Sequence, residues 1–82
     1  MDGKQFDTWC YAAKIELYQR MHHFSSADFA QMVRILDHAH NIVFAKFEDR
    51  WNTEDLPLAM SMVRFVQRRY RHLPAMTLDD IM

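Results

Sequence analysis

Apolar residues recur along this chain at intervals of three and four, and the intervals fall into three separate stretches. In the first, Phe6, Cys10, Ala13, Leu17 and Met21 follow one another with Trp9 on the flank, which is one side of an α-helix. Asp2 stands where it can cap that helix, and Gln5 lies three residues on, in capping-box position. The second stretch opens on Ser25-Ser26-Ala27-Asp28, a serine followed three residues later by an acid. Its stripe is Phe29, Met32, Val33, Leu36, Ala39, Val43 and Phe47, with His40 at the edge and no glycine or proline to interrupt it. The third begins near Glu54, Asp55 and Pro57, residues suited to a first helical turn. Ala59, Met62, Val63, Val66, Tyr70 and Leu73 are its stripe, and Pro74 is expected to end it.

The spacing therefore predicts helices over about 3–21, 26–50 and 54–73. His22-His23-Phe24 makes a corner and Arg50-Trp51-Asn52-Thr53 a connection. Thr77-Leu78-Asp79-Asp80 repeats the capping pattern and is a candidate for a short last turn. Short connections favour antiparallel neighbours, so the expected architecture is an all-α, up-down-up three-helix antiparallel bundle. Composition agrees: hydrophobic residues make up 50% of the 82, with one glycine and two prolines, which suits long helices and few loops. A chain of this length is expected to form one domain, residues 1–82, near the size where a single core gives only a few kcal/mol of net stability.

No apolar run approaches the roughly 20 residues of a membrane span, and the N-terminus lacks the basic-then-apolar pattern of a signal peptide. Cys10 is the only cysteine, so no internal disulfide can form. Together these lead us to expect a soluble cytoplasmic protein.

Each helix carries apolar residues off its main stripe: Tyr11, Ile15 and Tyr18 on the first, Ile35 and Ile42 on the second, Leu58 and Phe65 on the third. The last two pairs are each seven apart, an interval that keeps side chains on one seam. The bland reading is a wide buried face plus scattered exposed residues. That all three helices share the feature favours an interface, and a homodimer is the expected assembly.

Charge changes the picture at one place. Residues 1–63 hold six bases and nine acids, 64–72 four bases and no acid, and 73–82 two acids and no base. On a helix Arg64, Arg68 and Arg71 share a face with Gln67 beside them, while Arg69 falls near the core boundary. Arginine forks grip carboxylate or phosphate, so Arg64, Arg68, Arg71 and Gln67 are the candidate partner-binding residues. Dipole complementation at a helix C-terminus explains basic residues there equally well, with Glu54 or Asp79 as neutralising acids.

Other chemistry is poorly supported. His22 and His23 are adjacent and His38 and His40 diverge on a helix, so a metal site would need groups from several elements, such as His23, Asp28 and His72. Cys10 lies on a core stripe, no serine sits in a nucleophile elbow, and Gly3 alone cannot form a phosphate loop. Glu48, Asp49, Glu54 and Asp55 around Trp51 read as solvation and capping. A helix-turn-helix would present Leu56, Pro57, Leu58 and Ala59 in the part of its recognition helix that normally reads bases. The sequence thus points to a non-enzymatic interaction module, a small adaptor or inhibitor that needs no cofactor or metal and binds another protein. A helical nucleic-acid-binding regulator using the basic face is the alternative, weakened by a pI near 6.5.

Overall fold

The computed structural model of the protein describes residues 1–45, 50–52 and 54–77. Three α-helices run up, down and up: α1 (Gly3–Tyr18), α2 (Ser26–Val43) and α3 (Leu56–Tyr70). A 3₁₀ turn at Met21–His23 forms the first corner. Between α2 and α3 lies a two-residue antiparallel ladder, β1 (Phe44–Ala45) against β2 (Arg50–Trp51), with Phe44 opposite Trp51.

Both N-terminal signals in the sequence act as expected. Asp2 accepts from the Gln5 amide at 2.8 Å while its own amide donates to Gln5 Oε1 at 2.9 Å, so both halves of the capping box are made. Ser25 Oγ accepts from the Asp28 amide at 3.1 Å and starts α2. Pro57 stands in the first turn of α3, where a missing amide costs nothing. Asp55 is its N-cap residue but makes no capping bond, because its carboxylate accepts from Asn52 Nδ2 at 2.9 Å instead.

The helix ends depart from the pattern. α1 stops at Tyr18, not 21: the Arg20 amide turns back to the Leu17 carbonyl in an i−3 bond, and Met21 is left exposed. α2 stops at Val43 rather than 50. The segment Ile42-Val43-Phe44 is β-branched and aromatic, and Phe44 leaves the helix to pair across the ladder. The Asn52 amide then satisfies the Val43 carbonyl that the helix leaves open. Phe47 lies outside the described residues, as do Leu78, Asp79 and Asp80 of the suggested last turn; Thr77 is not helical. α3 begins two residues later than expected and ends at Tyr70, four residues before Pro74.

The core is one cluster in which every helix contributes its own stripe. Phe6, Cys10, Ala13 and Leu17 come from α1, Met32, Leu36, Ala39 and Val43 from α2, and Leu56, Ala59, Val63, Val66 and Tyr70 from α3. Each fully buried large side chain there contributes about 1.5–3 kcal/mol by leaving water. Phe29, Val33 and Met62 are half-buried against this cluster, and Leu73 is half-buried after α3. Among the described residues no helix is long and apolar enough to cross a membrane.

Beyond α3 the chain folds back over the end of α1. Arg20 Nε donates to the Leu73 carbonyl at 3.0 Å, His23 Nε2 to the Pro74 carbonyl at 3.0 Å, and the Met76 amide to the Gln19 carbonyl at 2.8 Å. The Arg20 guanidinium also donates to the Glu16 carbonyl at 2.8 Å and lies 5.2 Å from the centre of the Tyr70 ring. One arginine thus joins the end of α1, the end of α3 and the returning segment.

Candidate functional site

Helical geometry carries Trp9 and Glu16, seven residues apart on α1, onto the side that meets α3. On α3, Gln67 lies four residues after Val63 and three before Tyr70, so it falls on the buried side. The structure brings these groups into one polar cluster. The Gln67 carbonyl oxygen accepts from Trp9 Nε1 and from Arg71 Nη2, each at 3.0 Å, in the amide orientation its neighbours require. Arg71 Nε lies 3.5 Å from Glu16 Oε2, and the Tyr70 hydroxyl donates to that same oxygen at 2.9 Å.

Burial pushes the Tyr70 phenol up to about 12, helped by its hydrogen bond to Glu16 and that carboxylate's charge; Arg71 and Gln67 pull the other way. The hydroxyl is therefore a fixed donor at any neutral pH.

Above this cluster opens a furrow of about 750 Å³ between α1 and α3, lined by Trp9, Arg64, Gln67, Arg68, Arg71 and His72. All four residues singled out from the sequence line it: the arginines are exposed, whereas Gln67 is only 6% exposed. Gln67 was expected on the binding face itself. It sits beneath that face and orients Trp9 and Arg71 from below. Arg64 is held from another direction, its guanidinium 5.8 Å from the centre of the Trp9 ring. Arg68 reaches only the Arg64 carbonyl, at 3.4 Å, and has no carboxylate partner among the described residues. The acid that neutralises part of the row is Glu16, which sequence reasoning missed; Asp79 lies outside the described residues. Arg69 is exposed and takes no part in the furrow.

The off-stripe apolar residues divide. Tyr11 is 69% exposed, and Ile15, Tyr18, Leu58 and Phe65 are each about half exposed. Ile35 and Ile42, in contrast, pack half-buried against the core, which is the wide-face reading of α2. Tyr11, Ile15 and Tyr18 share a shallow groove of about 520 Å³ with Lys14, Gln19 and Met76, the last supplied by the returning segment. Tyr18 also stands edge-on to Phe29 at 5.0 Å, tying its ring to α2.

The remaining polar groups are dispersed. Among the described residues no three of His, Cys, Asp and Glu cluster so as to hold a metal ion. His23 is bonded to Pro74, Asp28 is in the first turn of α2, and His72 is in the basic furrow. The His22 and His23 rings lie 4.0 Å apart in the 3₁₀ turn, tilted at 39° to each other. His40 Nε2 donates to Asp7 Oδ1 at 2.6 Å, and Lys14 pairs with Asp37, so two side-chain bonds tie α1 to α2. Burial pushes the Cys10 thiol up to about 12, with the Asp7 charge adding to the rise and Lys14 opposing it. Such a thiol is a poor nucleophile near neutrality. No protein family model matches the chain, and neither does any curated protein or solved structure.

Proposed function

We propose that the protein is a non-enzymatic interaction module, a small helical adaptor or inhibitor that docks on an acidic surface of another protein through the furrow between α1 and α3. The observation that carries this reading is the anchoring of the arginine row. Arg64 is held against Trp9 and Arg71 against Gln67 and Glu16, with Arg68 between them and without a carboxylate partner among the described residues. Guanidinium groups fixed before binding lose less conformational freedom when a partner arrives. Arg and Trp are also the side chains most enriched among residues that dominate binding energy.

Against catalysis stands the dispersal of nucleophiles and bases: Cys10 is buried with its thiol protonated, and the furrow pairs no general base with a nucleophile. We take the cytoplasm as the compartment, because a single buried cysteine makes no demand for oxidation. Self-association through Tyr11, Ile15 and Tyr18, with Leu58 and Phe65 as the exposed apolar residues of α3, is part of the same proposal.

Affinity capture from the native cell extract tests it, comparing the wild type with a variant in which Arg64, Arg68 and Arg71 are all changed to Glu. The triple variant should lose the captured protein and keep its helix content. Undiminished capture would sink the furrow as the docking site. A gel-shift titration with generic DNA and RNA across a salt series addresses the nucleic-acid alternative, which tight, steeply salt-dependent binding would favour.

A further inference from the structure

Resting on that reading, we infer that the occupant of the furrow is an acidic α-helix laid along α3, its carboxylates at positions i, i+4 and i+7 meeting Arg64, Arg68 and Arg71.

The spacing of the row carries the inference. Arg71 is the C-cap of α3 and keeps helical angles (φ −64°, ψ −23°), so all three arginines sit on one continuous helical path. At 1.5 Å rise per residue their Cα positions advance by about 6 Å and then about 4.5 Å along the axis. A partner helix with acids four and then three residues apart advances by the same unequal steps. An extended peptide, whose same-side residues recur every ~6.6–6.8 Å, falls out of step by the third contact. The two outer guanidiniums are already fixed by Trp9 and by Gln67 with Glu16, so the partner meets a set register rather than three free side chains. The furrow lies between two helices that run in the same direction, α1 and α3, a shape that takes a third helix readily.

Three features favour a protein over a nucleic acid. The chain carries a net charge of −1, so its remaining surface repels a long polyanion. Glu16 places a carboxylate at the rim of the furrow. The face of Trp9 is covered by Arg64, which removes the open aromatic platform that single-stranded nucleic acids use.

The test uses the full chain and two short alanine-based peptides of identical composition. One carries Glu at i, i+4 and i+7, the other at i, i+2 and i+5. Binding is read by fluorescence anisotropy at physiological ionic strength, and the Trp9 indole N–H resonance is followed in parallel. The in-register peptide should bind, shift that resonance, and lose affinity on the order of tenfold when Arg68→Glu is introduced. Arg34→Glu, an equal charge change on the exposed side of α2, should leave its affinity within about twofold. Equal binding of both peptides overturns the helical occupant. RNA or duplex DNA bound more tightly than the in-register peptide overturns the acidic-protein class. If neither peptide binds while the triple arginine variant still loses its captured partner, the docking site stands and this inference falls.

Discussion

Trp9 and Gln67 face each other across the seam between α1 and α3, the indole Nε1 donating to the Gln67 carbonyl oxygen at 3.0 Å. That oxygen also accepts from Arg71, so a single buried amide fixes two sides of the furrow. Gln67→Leu keeps the bulk but removes the acceptor from both donors. We expect a loss of about 1–3 kcal/mol in urea unfolding, the usual cost of stranding a partly buried donor. The Trp9 indole proton should exchange faster with solvent, and affinity for the furrow's ligand should fall although Gln67 itself touches none of it.

Tyr70 and Cys10 make stability depend on pH at the alkaline end. The Tyr70 phenol is raised from 10.0 to about 12 and the Cys10 thiol from 9.0 to about 12. In both cases the unfolded chain releases its proton first. The stabilisation is complete below pH 9, begins to drain through Cys10 between 9 and 12, and through Tyr70 between 10 and 12. The Tyr70 share is on the order of 2–3 kcal/mol. Urea midpoints measured from pH 8 to about 12 should fall across that window, with Tyr70→Phe and Cys10→Ala each flattening part of the decline. A flat profile for the wild type would show that neither group is shifted. Cys10 should also resist thiol reagents at pH 8 until the protein is unfolded.

Assembly is best probed on α1. Ile35 and Ile42 pack against the core, so charging them would damage the fold and could not report on association alone. Ile15 is half exposed in the groove with Tyr11 and Tyr18. Ile15→Glu should convert the proposed dimer to monomer in sedimentation while changing monomer stability by no more than ~0.5 kcal/mol. A wild type that sediments as a monomer at high concentration would remove the dimer from the proposal.

Arg20 is the clamp on the returning segment. Arg20→Ala deletes the bonds to the Leu73 and Glu16 carbonyls and the contact with the Tyr70 ring. The expected cost is about 1–3 kcal/mol. Hydrogen exchange should localise the effect: the Met76 amide, bonded to Gln19, should lose protection while the amides in the middle of α2 keep theirs. Uniform loss across all three helices would mean that Arg20 supports the whole bundle.

What the sequence made legible was local or periodic. Asp2 with Gln5 and Ser25 with Asp28 cap their helices because capping needs only residues three apart. The stripes from Phe6 to Leu17 and from Ala59 to Tyr70 reached the core because nothing in the tertiary arrangement opposes the helical period. The end of α2 was illegible because Phe44 pairs with Trp51 across an intervening stretch, and no helical periodicity records that competitor. Met21 continued the α1 stripe on paper, but the chain had already turned. The arginine row could be read from spacing, whereas the Glu16 and Trp9 contacts come from another helix and could not. For Gln67 the signal was present: its distances of four from Val63 and three from Tyr70 are those of a core residue, and only its polarity drew it to the exposed face.

Glu16 gives the furrow an occupant before any ligand arrives. Under the proposed docking, a partner carboxylate that reaches Arg71 meets a guanidinium already partly neutralised by Glu16, so that position adds less attraction than an unpaired arginine would. Few counterions are released there, and the dependence of affinity on ionic strength should reflect Arg64 and Arg68 more than a count of three cations suggests. Under the same proposal this partial neutralisation works as a filter. A lone, loosely placed acid gains little over the resident carboxylate, and only a ligand that engages the neighbouring arginines in the same event has a net advantage. Selectivity of this kind would reside in a pairing within the chain and be invisible in the net charge of the surface alone.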